Sequence, residues 1–525
     1  MGIFKRSQRR RTYPTAGRQR RFEILEDRRV MAVVIGSSTF DANLFGDNIE
    51  SLSNGNAVGY GYAINFQGDT LAAVGGDGQA RTAADAPQRD FTSLTELEIS
   101  SVSKTVTATA ILHILQSQPG GLDAALDTLL TSYLPSDWTP GANVQNVTLR
   151  HLLTHRSGFL EEGNSIGINF ESYSQNNFTN LRNLVQAGLP APTVAADAVY
   201  ATPRWGYSYN NANFSLLAKV VLPKLLNPAL NLTAANFVNR DATSGALYKT
   251  YVQNEIFAPL GITADLAPSE ANPAKGYNLA TAEVSPGLSL SNLTNTGGAF
   301  GWKLSARELA TFTDAIVRDN SILTPATRQM RDDQQLGWFR SADAFGEFFT
   351  HNGSTGGGAG NFRSQIVAMP GEVEVSYLMN SESANLPGAS IGNMLKTAYV
   401  NAWSDLTVVG TSANDNFILR LNNSGIRPSV EVVLNGAIEF THWIDTLDSL
   451  TLNGGLGNDT FTIQGWNPSI ELNLNGQWGD DVVSVLSSVR NIEMVNGMTF
   501  DGGTGVDSIT INDQSNPYSN AVLSR

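Results

Sequence analysis

From residue 407 onward one short turn sequence keeps returning, and no other feature restricts the fold of this chain as strongly. Asn453-Gly-Gly-Leu-Gly-Asn-Asp459, Asn475-Gly-Gln-Trp-Gly-Asp-Asp481 and Asp501-Gly-Gly-Thr-Gly-Val-Asp507 stand 22 and 26 residues apart. Gly410-Thr-Ser-Ala-Asn-Asp415 is a degraded fourth copy, and Asp415 precedes Asp459 by 44 residues, two units of 22. Between the turns lie short alternating runs: Phe417-Leu419-Leu421, Val432-Leu434, Leu450-Leu452, Ile470-Leu472-Leu474, Val483-Val485 and Ile509-Ile511. Helix-type spacing is absent. Self-similarity at such a period predicts a stacked, solenoid-like all-β module over 407–525.

Residues 39–406 read differently, as mixed α and β. An amphipathic stretch over 40–52 precedes strand-like runs at 58–66 and 70–74, joined at Gln67-Gly68-Asp69, a hairpin signal. Apolar residues at Val102, Val106, Ile111, Ile114 and Leu115 predict a helix over 102–115, stopped by Pro119-Gly120-Gly121. Further helices are expected at 149–153, 213–226, 306–317 and 391–403, with strands at 362–369 and 373–379. A hairpin at the front and strands near the end predict one sheet built from both ends of the domain.

Composition narrows the partners. The 525 residues carry a net charge of −14, yet residues 1–30 hold ten basic side chains against three acids. The remainder has 24 basic and 45 acidic residues. That acidic body argues against a nucleic-acid groove or an anionic membrane surface as partner. There is no cysteine, which removes disulfides, zinc–thiolate sites and a thiol nucleophile. No apolar run reaches membrane-spanning length.

Residues 1–38 form a basic segment whose apolar run, Val30 to Ile35, is too short for a standard secretory signal. Within it, Phe22-Glu-Ile-Leu-Glu-Asp-Arg-Arg-Val-Met-Ala32 resembles the LEPR-x-LL motif that precedes exported or surface proteins in some bacteria. Asp27 replaces Pro, and Val30-Met31 replaces Leu-Leu. The resemblance implies a secreted, periplasmic or cell-surface bacterial protein. A disordered basic arm is the other reading.

Ser101-Val102-Ser103-Lys104 opens the helix predicted over 102–115. A separation of three puts Ser101 and Lys104 on one face, a turn apart. The helix N-terminus favours negative charge developing on Ser101, and a desolvated amine can lose its proton and activate the hydroxyl. Taken alone, the tetrapeptide fits an ordinary N-cap serine equally well.

The surroundings add to it. Leu97-Glu-Ile-Ser-Ser-Val-Ser-Lys-Thr-Val-Thr-Ala108 closely resembles the nucleophile segment of the serine β-lactamase-related family, which comprises class C-like β-lactamases, D-alanyl-D-alanine carboxypeptidases and esterases. Three more segments match in order: Val147-Thr-Leu-Arg-His-Leu-Leu-Thr-His-Arg-Ser-Gly158, Tyr207-Ser-Tyr-Asn-Asn-Ala-Asn-Phe214, and His351-Asn-Gly-Ser354. The resemblance covers about 39–406. It implies an α+β, β-lactamase/transpeptidase-like domain, an antiparallel sheet flanked by helices with a helical subdomain.

By that resemblance Ser101 is the nucleophile of an acyl-enzyme, and Lys104 and Tyr209 share the proton taken from it and later activate water. A free phenol titrates at about 10, so Tyr209 becomes a base only where a cation lowers it. Asn211 positions the substrate's acyl side chain and Lys104. His351 meets the substrate's far end or the proton network. The backbone N–H groups of Ser101 and Ser354 form the oxyanion hole. Gly353 admits a close approach there, and Gly356-Gly357-Gly358 is a flexible rim. No cofactor is required. The resemblance implies a small-molecule or peptide substrate, with cell-wall-related compounds among the candidates.

Two departures stand out. The second element reads Tyr209-Asn210-Asn211, where Ser or Ala is commoner in the middle. The third has His351 instead of a lysine that would be a fixed cation for a substrate carboxylate. Histidine is charged only part of the time near neutral pH, which weakens the case for β-lactam hydrolysis and suits an esterase or a carboxypeptidase-like enzyme. His151 and His155, four apart, invite a metal reading. No acidic third ligand stands at a suitable spacing, and the resemblance makes both structural. His113 is expected to be packed, and His442 belongs to the β module.

The fragments at 454–463 and 502–511 resemble calcium-binding repeats of secreted bacterial toxins and proteases. Aspartate and turn carbonyls are hard ligands suited to Ca²⁺, but those arrays repeat every nine residues and this one does not. Bound calcium and plain tight turns made by Gly and Asn/Asp both remain open. Two rivals to a serine hydrolase also remain: a catalytically silent ligand-binding protein on the same fold, and a surface-adhesion protein whose β module does the work. Oligomeric state is not legible in the sequence.

Overall fold

The computed structural model describes residues 33–35, 40–161, 164–357, 360–425, 427–486 and 497–512. The basic segment through residue 32, with its export-like motif, and Gly358 of the glycine rim lie outside the described residues.

The hairpin at the front forms. Gly59–Phe66 and Asp69–Arg81 pair antiparallel, and Gln67 and Gly68 make the turn with φ of 49° and 82°. The hairpin supplies the second and third strands of a seven-stranded sheet. Its order is Arg89–Asp90, Asp69–Arg81, Gly59–Phe66, Val373–Met379, Gly360–Met369, Gly346–Gly357 and Phe339–Asp343, with every neighbouring pair antiparallel. Strands from both ends of the domain therefore meet, Gly59–Phe66 against Val373–Met379.

Side chains alternate across this sheet with the period of two that strands impose. Val373, Val375 and Tyr377 pack with Phe45 and Ile49 of the helix Ala42–Ser53 and with Met394 and Leu395 of Ile391–Val400. Ile366 and Leu378 face the other way, into a second core with Leu309, Phe312 and Ile316 of Ala306–Val317. That helix begins with a capping box, Ser305 and Glu308 bonding each other's backbone N–H, which satisfies donors the first turn leaves unpaired.

The helix Ser103–Leu115 runs through the second core and is buried on nearly every face. Its threonines are tolerated there because they find acceptors: Thr105 Oγ1 donates to the Gly337 carbonyl at 3.0 Å and Thr109 Oγ1 to the Thr105 carbonyl at 2.8 Å, as buried hydroxyls require. Among the described residues no helix is long and apolar enough to cross a membrane.

The C-terminal region is β-rich. Asp405–Val409, Ser449–Leu456, Glu471–Trp478 and Met498–Asp501 pair parallel in one sheet. Asn416–Asn422, Thr460–Ile463, Val482–Val485 and Ser508–Ile511 pair parallel in a second. In both sheets successive strands are offset by 44, 22 and 26 residues, the spacings of the turn sequence. Inward residues of both sheets, including Leu450, Leu472, Phe461 and Val483, share one core. The 44-residue interval does not hold a further unit of the 22-residue kind. It holds an antiparallel pair, Ser429–Leu434 and Ala437–Trp443, that extends the second sheet, so Asp405–Val409 lies directly beside Ser449–Leu456.

One boundary read from sequence falls inside an element, and one strand lies within the segment left out of the fold. Residue 407, where helix-type spacing ends, lies within the strand Asp405–Val409. Val33–Ile35, placed in the basic segment, pairs antiparallel with that same strand. Packing also crosses the junction. Phe440 meets Phe345 at 6.1 Å between ring centres, Trp443 N–H donates to Asn401 Oδ1 at 2.6 Å, and His442 Nε2 lies 2.9 Å from the Trp403 carbonyl oxygen.

Candidate active site

The nucleophile segment is held between two strands and a helix. Leu97–Glu98 pairs with Lys303–Leu304, a single 3₁₀ turn spans Ser100–Val102, and Ser103 begins the long helix. Ser100 has φ of 47°, a left-handed conformation that costs a non-glycine residue about 1 kcal/mol or more and is typical of functional turns. The turn brings Ser101 and Lys104 together: Lys104 Nζ donates to Ser101 Oγ at 2.9 Å and to the Ala299 carbonyl at 3.0 Å.

Lys104 has no exposed surface. Burial pulls its amine down to about 7, and the nearby Glu161 carboxylate opposes that fall. Nζ lies 4.7 Å from the centre of the Tyr209 ring. Tyr209 is held in turn by His155, whose ring stacks on it at 4.5 Å and whose Nδ1 accepts from the Asn210 backbone N–H at 3.1 Å. Burial pushes the Tyr209 phenol above its ordinary value, with a hydrogen bond to Ser101 pulling the other way. The condition for Tyr209 to be the base, a cation lowering its phenol, is therefore not met: burial dominates and favours the neutral form of both the phenol and the amine.

Asn211 opens the helix Asn211–Leu216. Its backbone N–H donates to the Glu161 carboxylate and its Nδ2 to the Phe170 carbonyl at 3.1 Å, while its buried Oδ1 has no partner. Burial raises the Glu161 carboxyl to about 7.

The third element lies on Gly346–Gly357. A Cβ at Gly353 would stand 2.3 Å from the Ile99 carbonyl oxygen and 2.2 Å from Ser364 Oγ, so only glycine lets this strand press against the nucleophile turn. Ser100 Oγ and Thr355 Oγ1 join the two segments at 2.6 Å. Strand alternation separates His351 from Ser354. Ser354 and Asn352 are exposed and line an open cleft of about 1050 Å³ with Ser101, Tyr209, Asn211 and Arg363. His351 is buried and lines a separate cavity behind it, with His155 and Trp338. Its Nδ1–H donates to the Asn352 carbonyl at 2.8 Å. Burial, reinforced by Lys104, drags its pKa to about 3. His351 thus lines the cavity behind the cleft and not the cleft itself, and it is neutral at physiological pH, not partly charged as its type suggested.

With three of the motif segments lining one cleft and the fourth lining the cavity behind it, the comparison with known families is decisive. The profile described as Beta-lactamase matches residues 57–390, more than half of the chain. The chain belongs to the beta-lactamase family. A penicillin-binding protein of Bacillus subtilis (strain 168) is 28% identical over 205 residues, 38% of this chain and 37% of that protein. The chain thus matches little more than a third of that relative's length. Among solved structures, the octameric penicillin-binding protein homologue from Pyrococcus abyssi has a TM-score of 0.50 at 16% identity, over 76% of this chain and 89% of that one, a likeness of fold. A class C beta lactamase has a TM-score of 0.47 at 19% identity, over 69% and 98%.

In this beta-lactamase family member the motif spacing located Ser101, Lys104, Tyr209, Asn211, Gly353 and Ser354, all at or beside the cleft. It missed Glu161, which stands three residues past the matched Gly158, and Arg363, which no motif includes. It also read His155 as structural only. His151 is engaged elsewhere: its Nδ1 accepts from the Thr148 N–H at 3.3 Å and its ring stacks on Tyr200. Among the described residues no group of three or more His, Asp or Glu side chains is arranged to hold a metal ion.

Proposed function

We propose that this chain is a serine hydrolase that cleaves an ester or amide through an acyl-enzyme on Ser101. The observation that carries the reading is the 2.9 Å contact between Ser101 Oγ and an amine that burial holds at about 7. A neutral Lys104 keeps an N–H for Ala299 and offers its lone pair to the Ser101 proton. Oγ then attacks the carbonyl carbon, and the N–H groups of Ser101 and Ser354 stabilise the oxyanion. Tyr209, a neutral phenol, passes a proton to the leaving atom and is reprotonated from Lys104. In the second half, water loses a proton along the same route, attacks the acyl carbon and releases Ser101. No step uses a cofactor.

A neutral His351 supports the esterase or carboxypeptidase-like readings over efficient β-lactam hydrolysis, because it supplies no cation for the lactam carboxylate. The test is a panel of short-chain esters, a D-Ala-D-Ala peptide and a chromogenic cephalosporin, run on wild type and Ser101→Ala, with mass analysis after fluorophosphonate treatment. An adduct on Ser101 and turnover lost in the variant support the hydrolase. Ligand binding without adduct or turnover would favour the silent binder.

For the C-terminal region we propose a solenoid of stacked units on a secreted or cell-surface protein. A cation between its turns is part of this proposal. Asp459 and Asp481 are fully buried, and each leaves Oδ2 without a partner, packed where a Cβ on Gly454 or Gly476 would stand 2.2 or 2.1 Å away. Orphaned carboxylate oxygens beside turn carbonyls fit Ca²⁺ chemistry. Asp459, Asp481 and the Gly454 and Gly476 carbonyls would hold the ion, which would neutralise the buried acids.

A further inference from the structure

We infer that the cavity behind the catalytic wall is a second ligand site, built for a small zwitterion with an apolar body, a free amino acid. Such a site is separate from the cleft that holds Ser101 and does not depend on the hydrolase reading.

The cavity encloses about 280 Å³, close to the lower end of small-ligand pockets at about 300 Å³. Its apolar lining is aromatic: Tyr200, Tyr207, Trp338 and Phe339. Tyr207 and Phe339 also line the catalytic cleft, and their rings meet edge to face at 6.5 Å, so this pair forms a wall shared by the two spaces. His155 and His351 are buried lining groups, and their neighbours fix their tautomers. His155 Nδ1 accepts from the Asn210 N–H at 3.1 Å, which places its proton on Nε2. His351 Nδ1–H donates to the Asn352 carbonyl at 2.8 Å, which leaves Nε2 an acceptor. Among the described residues neither Nε2 has a hydrogen-bond partner. One donor and one acceptor are thus left for a polar ligand. Burial keeps both rings uncharged.

The charges of the lining select the ligand. Two guanidinium groups contribute, and Arg204 is already paired with Asp197 at 2.7 Å. The other, Arg156, is half-buried and has no ion pair or side-chain hydrogen bond among the described residues. Its charge reaches into the cavity wall: burial raises the Tyr207 phenol, and Arg156 opposes that rise. Asp333 lines the same cavity from the last turn of the helix Pro325–Gln334. It is exposed, accepts from the neutral Gln329 amide at 2.9 Å and has no ion pair among the described residues. The carbonyl end of its helix adds partial negative charge there. Arg156 and Asp333 therefore line one space without pairing with each other. A carboxylate suits the planar fork of Arg156, and an ammonium suits Asp333. A simple anion would be repelled by Asp333, and a simple cation by Arg156. A ligand with both charges satisfies both, and the aromatic rings between them bury its apolar body.

The test is calorimetric titration of the full chain with the D and L forms of phenylalanine and leucine, and with hydrocinnamate and phenethylamine, which each lack one of the two charges. At least one amino acid is expected to bind wild type with a Kd below about 1 mM. Its affinity should fall about tenfold or more in Arg156→Gln, as a lost charged hydrogen bond requires, and recover in part in Arg156→Lys. Asp333→Asn should weaken it by about threefold, the smaller loss of an exposed charge. Both single-charge analogues should bind less tightly than the amino acid. Ser354→Trp crowds the cleft from the strand face opposite His351 and should leave the Kd within about twofold, since only the cleft is filled. Absence of heat with all four amino acids at about 10 mM overturns the site. Affinity unchanged in Arg156→Gln, or hydrocinnamate binding as tightly as phenylalanine, overturns the zwitterion. Binding abolished by Ser354→Trp would put the ligand in the catalytic cleft and overturn the separate site.

Discussion

Lys104 Nζ lies 2.9 Å from Ser101 Oγ, in a setting with no access to water for the amine. Ser101→Ala removes the attacking oxygen, and Lys104→Met removes the acceptor of its proton while keeping a long apolar stem. Each variant should lose at least about a thousandfold in kcat on any ester that wild type turns over, as residues acting as one unit do. Lys104→Arg should be as poor, because a guanidinium stays protonated. Steady-state kinetics decide it, and substantial turnover by Lys104→Met would remove Lys104 from the chemistry.

The pH profile follows from the amine at about 7. Below that value Lys104 gains a proton and cannot take one from Ser101, so kcat/KM should fall about tenfold per pH unit on the acid side. His351, at about 3, adds no limb near neutrality. Glu161, itself raised to about 7, titrates in the same window and where ionised supports the protonated amine, so Glu161→Gln should lower the Lys104 pKa, move the acid limb to lower pH and leave a single titration on that side. A limb that stayed in place would show that Glu161 does not act on Lys104.

Tyr209→Phe keeps the ring that stacks on His155 at 4.5 Å and deletes only the hydroxyl. If Tyr209 is a proton donor and not the primary base, kcat should drop by about a hundredfold or more for poor leaving groups. The loss should shrink for esters of acidic phenols, which leave without help. A uniform loss across leaving groups would assign Tyr209 to proton abstraction instead.

Burial lifts the Asp459 carboxyl to about 6, whereas in the unfolded chain it titrates at about 3.9. Between those values the folded state binds more protons than the unfolded state, so stability should fall as pH rises from about 4 to about 6. Thermal melts across this window should show a declining Tm, flattened in Asp459→Asn. Millimolar calcium should restore the loss in wild type at neutral pH. No calcium effect on Tm would leave the turns as plain turns.

Phe440 belongs to the β region but packs on Phe345 of the catalytic domain, and it is 5% exposed. Phe440→Ala should cost about 3 kcal/mol, as large-to-small changes at buried aromatics do. It should also lower the temperature at which ester hydrolysis is lost. Unchanged thermal inactivation would mean that the two parts fold independently.

Much of the local structure was legible. The helix over Ala306–Val317 matches its apolar spacing residue for residue, and the repeat spacing reappears as strand offsets. What was not legible required partners distant in sequence. The antiparallel pair at 429–443 occupies an interval that spacing alone read as two repeats. His351 and Ser354 are three apart on a strand, an odd separation that puts them on opposite faces, and the motif carries no mark of that parity until the strand is known to be continuous. Glu161 and Arg363 touch no recurring pattern. They matter because the fold carries them to Lys104 and Ser354.

By itself the sequence determined which groups are present and which of them are local neighbours. A hydroxyl and an amine three residues apart at a helix start meet whatever the rest of the chain does, because backbone geometry sets that distance. Tertiary structure alone decided the charge each group bears. Packing from remote segments removes water from Lys104 and His351, and desolvation penalises the ionised form, leaving the amine able to act as a base and the imidazole without charge.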